Sequence, residues 1–110
     1  MRDETVIIRK SPASFAYLFW LTGVRRGEHA VVKPAGTTVG RDAGCEVVLD
    51  DETVSLEQAR IRREEDGWVL YDLASANRTE AAGAPVYVKV LADGDHITFG
   101  TTEMVFRDLA

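Results

Sequence analysis

Three polar residues have side chains that can hold an anion, and each lies beyond the end of a short apolar run. Arg41 follows Thr37-Thr38-Val39-Gly40; Ser55 follows the acidic turn Asp50-Asp51-Glu52-Thr53-Val54; Asn77 lies just past Trp68-Val69-Leu70-Tyr71-Asp72-Leu73. A guanidinium presents paired, charge-assisted N–H donors to a tetrahedral oxyanion, each worth about 1.5–3 kcal/mol when well made. A serine hydroxyl adds a rotatable donor, and an asparagine amide offers both donor and acceptor to an extended peptide. Arg78, next to Asn77, adds a second cation. Blander roles stand beside these. Arg41 can pair with Asp42 or Glu46, Ser55 can brace its turn, and Asn77 can tie down its own loop. Ser55, Cys45, His29, His96 and the carboxylates show no nucleophile-base spacing, so no enzyme is expected. The histidines fall in separate strand patterns with no ligand spacing around them, so neither metal nor cofactor is expected.

The elements that must hold these residues read as strands. Turn signals recur every eight to twelve residues, and the runs between them alternate with a period of two, the pattern of an all-β sandwich. In the first long run Tyr17, Phe19 and Leu21 share one face and Leu18, Trp20 and Thr22 the other. Ala59 and Ile61 point opposite to Arg60 and Arg62, which places the arginines on the solvent side. Asp66-Gly67 is a hairpin turn. Residues 74–85 read as a loop with at most a weak strand, followed by a strand at Val86-Tyr87-Val88. Ile61, Leu70, Leu73, Ile97 and Phe106 are expected in the core, with Trp20 and Trp68. Asp72 and the run Asp93-Gly94-Asp95 read as turn acids that accept backbone N–H groups. No stretch keeps a helical period. The expectation is a twisted antiparallel β-sandwich of about ten or eleven short strands over residues 15–110, preceded by a flexible tail over 1–14.

Size and charge bound the function. A chain of 110 residues, 45% hydrophobic, encloses a single core without metal or disulfide support. Its net charge of −5 opposes nucleic-acid binding, which relies on a basic surface to displace counterions. The longest apolar run, residues 16–21, is far short of the roughly 20 residues of a membrane helix, and the N-terminus has no apolar core of a signal peptide. Cys45 is the only cysteine, which fits a reducing, cytoplasmic setting.

Taken in order, Gly40-Arg41, the Asp-rich turn before Ser55, the Ser75-Ala76-Asn77 loop and Asp93-Gly94-Asp95 resemble the forkhead-associated (FHA) domain, over roughly residues 16–106. The resemblance implies a module that reads phosphothreonine peptides, with Arg41 and Ser55 on the phosphate and Asn77 on the ligand backbone. Several positions depart from the family pattern. Ser55-Leu56-Glu57-Gln58 stands for Ser-Arg-x-His, Ala76 takes a place often held by a hydroxyl residue, and Asn77-Arg78-Thr79 stands for Asn-Gly-Thr. Ala82 replaces the second Asn of Val-Asn-Gly. Leu56 and Ala76 remove phosphate donors, Arg78 partly compensates, and a non-glycine at a positive φ costs about 1–3 kcal/mol, so a rearranged loop is expected. Asp50, Asp51, Glu52 and Glu57 would surround the phosphate with negative charge. The expected function is weakened phosphothreonine recognition, the alternative a phospho-independent assembly module. Thr5 in the tail, followed by Val6-Ile7-Ile8, is an internal candidate ligand, since the family favours an aliphatic or acidic residue three positions on, here Ile8.

Overall fold

The computed structural model describes residues 14–109 except Asp66 and Ala74, and all of its regular structure is β. The expectations for the tail, for Thr5 and for Asp66 in its hairpin lie outside the described residues. Eleven strands form among the described residues: β1 (Ala16–Trp20), β2 (His29–Val32), β3 (Thr37–Gly40), β4 (Val47–Val48), β5 (Ala59–Glu64), β6 (Gly67–Asp72), β7 (Thr79–Ala81), β8 (Ala84–Val86), β9 (Val88–Leu91), β10 (His96–Phe99) and β11 (Thr102–Arg107). They make a six-stranded sheet in the order β2-β1-β11-β10-β7-β8 and a five-stranded sheet in the order β4-β3-β5-β6-β9. One pair departs from the antiparallel expectation. β3 and β4 run parallel, with Val39 opposite Val47, because the 41–46 loop doubles back beside β3. Asp42 closes that loop, its carboxylate and carbonyl accepting from the N–H groups of Gly44 and Cys45.

The alternation places the core. Leu18 and Trp20 of β1, Ile61 of β5, Trp68 and Leu70 of β6, Ile97 and Phe99 of β10, and Met104 and Phe106 of β11 are buried together. Each such side chain stabilises the fold by about 1.5–3 kcal/mol relative to exposure. Trp68 and Phe106 meet edge to face across the two sheets, ring centroids 6.0 Å apart. Leu73 corrects the expected core. It is 38% exposed. In β6 Trp68 and Leu70 face inward, so position 73 falls on the outward parity of Tyr71 once the period of two is carried past the strand end.

The segment read as loop is instead a hairpin. Thr79 pairs with Val86 and Ala81 with Ala84 around Ala82 and Gly83, whose φ values of 54° and 80° are those of a tight hairpin turn. The run Val86-Tyr87-Val88 is not one strand but the crossing between sheets. β8 ends at Val86 in one and β9 begins at Val88 in the other.

Candidate functional site

Among the connections at one end of the sandwich are 41–46 after β3, 49–58 after β4, the one after β6 that carries Asn77, and Gly100-Thr101 after β10. Backbone and side-chain hydrogen bonds tie them together. The Arg41 N–H donates to the Ser55 carbonyl at 3.0 Å, and the Asp42 N–H to the Leu56 carbonyl at 3.1 Å. Gly40 allows this approach, because a Cβ there would lie 2.2 Å from the Leu56 carbonyl oxygen. Gly100 does the same on the other flank, where φ is +60° and a Cβ would lie 2.3 Å from Thr53 Oγ1.

Arg41, Ser55 and Asn77 are brought to this one end. Arg41 is exposed, and its Nε donates to the Val54 carbonyl at 3.0 Å, which aims the guanidinium and leaves its four Nη hydrogens for a ligand. Among the described residues it forms no ion pair with Asp42 or Glu46. Glu46 instead accepts from the Thr38 N–H at 2.7 Å, the contact that does most to hold its carboxyl below the usual range. Ser55 Oγ accepts from the Ala76 N–H at 3.0 Å, so its own hydrogen remains free to donate. Asn77 Nδ2 donates to the Thr53 carbonyl at 2.8 Å, joining the third loop to the second.

Arg78 settles the question of loop geometry. Its φ is 54°, so the backbone keeps the left-handed turn without glycine, contrary to the rearrangement expected. The compensation comes from beneath. Gln58 is fully buried, its Oε1 accepts from the Ser55 N–H at 2.9 Å, and its Nε2 donates to the Arg78 carbonyl at 2.9 Å and to Thr79 Oγ1 at 3.2 Å. One amide therefore braces both the 49–58 connection and the start of β7. Asp72 completes the support, accepting from the Ser75 N–H and hydroxyl and from Thr79 Oγ1. Of the other turn acids, Asp95 accepts from the Ala92 N–H and Asp93 from the Asp108 N–H.

Asp51 corrects the picture of an acidic ring. Rather than facing an incoming phosphate, it accepts from the Thr53 N–H and from the hydroxyls of Thr53, Thr101 and Thr102. Burial pushes its carboxyl up, but the hydroxyl bonds from Thr53, Thr102 and Thr101 outweigh this and hold it well below the usual carboxylate range. It pins the Ser55 loop to the β10–β11 turn. The sequence reading missed that clamp; Asp51-x-Thr53 is a local signal for it, whereas Thr101 and Thr102, some fifty residues away, carry none. Burial, then the charges of Asp42 and Glu57, push the Cys45 thiol up. A hollow of about 500 Å³ opens beside Trp20, Asp50 and Thr101 at the same end, but Arg41, Ser55 and Asn77 do not line it.

Residues 20–110 match the family described as the inner membrane component of the type III secretion system, cytoplasmic domain, whose fold is FHA-like. A solved FHA domain studied for its phosphothreonine-dependent interactions is 30% identical and superposes with a TM-score of 0.80, over 88% of this chain and 99% of its own. The chain belongs to the FHA family. Among curated relatives, the glycogen accumulation regulator GarA of Mycobacterium tuberculosis is 34% identical over 95 residues, 86% of this chain and 59% of GarA. The oxoglutarate dehydrogenase inhibitor of Corynebacterium efficiens is also 34% identical over 95 residues, 86% of this chain and 67% of that protein. This FHA domain thus spans 59% of the length of the first relatives it matches. No helix among its described residues is long and apolar enough to cross a membrane.

Proposed function

We propose that this FHA domain is a protein-interaction module that binds phosphothreonine peptides through Arg41, Ser55, Asn77 and Arg78, without catalysing a reaction. The observation that carries it is the guanidinium of Arg41, aimed by the Val54 carbonyl and free of any acidic partner among the described residues, beside a serine hydroxyl with an unspent hydrogen. Asn77 lies across the same junction, where its amide oxygen is left for a ligand N–H. Arg78 is exposed beside it. Relatives named as a glycogen accumulation regulator and an oxoglutarate dehydrogenase inhibitor support a regulatory rather than catalytic role. A cytoplasmic setting accords with the single free cysteine.

Affinity is weakened relative to a full motif, because Leu56 and Ala76 contribute no side-chain donor. The same losses favour the second reading, a phospho-independent assembly module. Calorimetry against a phosphothreonine peptide library distinguishes them: the domain binds phosphorylated but not unphosphorylated peptides, and Arg41→Ala abolishes binding while leaving the fold intact. Binding that ignores the phosphate, or survives Arg41→Ala, supports the second reading. Thr5, once phosphorylated, is a ligand for its own or a neighbouring chain, since tethering raises local concentration to about the millimolar range. NMR of the Thr5-phosphorylated protein should shift the amides of Arg41, Ser55 and Asn77; unchanged spectra and oligomeric state refute this.

A further inference from the structure

Four strands form the edges of the two sheets, and they are unequally guarded. β8 carries Pro85, which has no N–H to offer, and β4 is only two residues long. β2 starts at His29, whose ring packs against Tyr17 and Phe19. β9 carries no proline, is four residues long, and exposes large apolar side chains: Val88 is 62% exposed, Val90 52%, and Tyr87 just before the strand 67%.

Among the described residues, β9 pairs on one side only, with β6. The Tyr87 carbonyl accepts from the Asp72 N–H at 2.8 Å. Antiparallel ladders alternate, so Lys89 and Leu91 turn their peptide groups to β6, and Val88 and Val90 turn theirs to the free edge. This edge is continuous with the ligand-facing end. Asp72 ends β6 and holds Ser75 and Thr79 on either side of Asn77, and exposed Leu73 lies between.

We propose that β9 is the docking edge for an extended, apolar segment of the same phosphorylated partner, which adds to the five-stranded sheet as a sixth strand. The occupant is a strand because the free groups are alternate backbone N–H and C=O pairs, and its outward side chains are apolar because Val88 and Val90 await them. It belongs to the tethered partner rather than a second copy of this chain. Four residues offer few hydrogen bonds to a free protein of net charge −5 meeting its equal, but enough to add to a ligand already anchored at Arg41.

The inference rests on phosphothreonine binding at Arg41, and the test separates the two. The probes are a short phosphothreonine peptide, the same peptide extended on either side by a ten-residue alternating Val-Thr flank, and that extended peptide N-methylated at alternate flank residues. Calorimetry on the full chain should show the extended peptide binding about tenfold more tightly than the short one, and N-methylation in one register removing the gain. Hydrogen exchange should slow at the Val88 and Val90 amides only with the extended peptide. Val90→Pro should erase the gain and leave short-peptide affinity unchanged. Equal affinities with unprotected Val88 and Val90 overturn the β9 assignment alone. No binding of the short peptide overturns the phosphothreonine reading and this inference with it. A concentration-dependent dimer abolished by Val90→Pro assigns the edge to a second copy and overturns the partner strand.

Discussion

Gln58→Leu tests whether one buried amide holds the ligand-facing loops in place. The substitution keeps roughly the same volume and removes all the polar contacts, which are a bond from the Ser55 N–H, one to the Arg78 carbonyl and one to Thr79 Oγ1. At a net contribution of about 1 kcal/mol each, the bonds account for about 3 kcal/mol, and the Ser55 N–H left without its partner adds about 1 kcal/mol more. For a domain of this size about 4 °C of melting temperature accompanies each kcal/mol, so thermal unfolding should begin roughly 12–16 °C lower. Gln58→His retains a donor and an acceptor and should lose less than half of that. The binding consequence is separable. At a temperature where the variant is fully folded, phosphopeptide affinity should fall about tenfold or more, because Ser55 and Arg78 lose a common brace. Calorimetry and thermal melts on the same samples check both. A melting point within about 3 °C of wild type, with affinity unchanged, would falsify the bracing role.

Gly40→Ala places a Cβ against the Leu56 carbonyl and should destabilise by about 2–4 kcal/mol, read from urea unfolding; a tolerated alanine would mean that the two loops separate readily. Leu56→Arg returns a cationic donor beside Ser55 and should raise phosphopeptide affinity about tenfold by calorimetry. Arg78→Gly relieves the positive φ and should raise the melting temperature by roughly 4 °C. Asp51 is depressed in the fold, so its contribution is full above the unfolded carboxylate pKa of about 3.9 and is lost as pH falls toward the lower folded value. Asp51→Asn should therefore lower the melting point at pH 7 and flatten the loss of stability below about pH 4, while an unaltered acid profile would place that proton uptake elsewhere.

The period-two alternation and turn chemistry of this chain determine much by themselves, because burying one face of a strand is a local constraint. Leu18 and Trp20, Ala59 and Ile61, and the outward arginines at 60 and 62 were legible for that reason, as was the placement of Arg41, Ser55 and Asn77 in connections beyond the ends of strands. Sequence also carries the turn acids Asp72 and Asp95, whose acceptors serve N–H groups three residues away. What the tertiary structure alone decided depends on contacts between distant segments. The hairpin at 79–86 has only short, weakly apolar strands and takes its place by pairing Ile97 with Ala81. The parallel β3–β4 pair and the free edge at β9 are properties of sheet order, which local periodicity does not encode. Asp51 looked like a repulsive charge until threonines fifty residues away surrounded it, and Arg78 looked misplaced at a glycine position until Gln58, twenty residues earlier, was seen to hold its carbonyl.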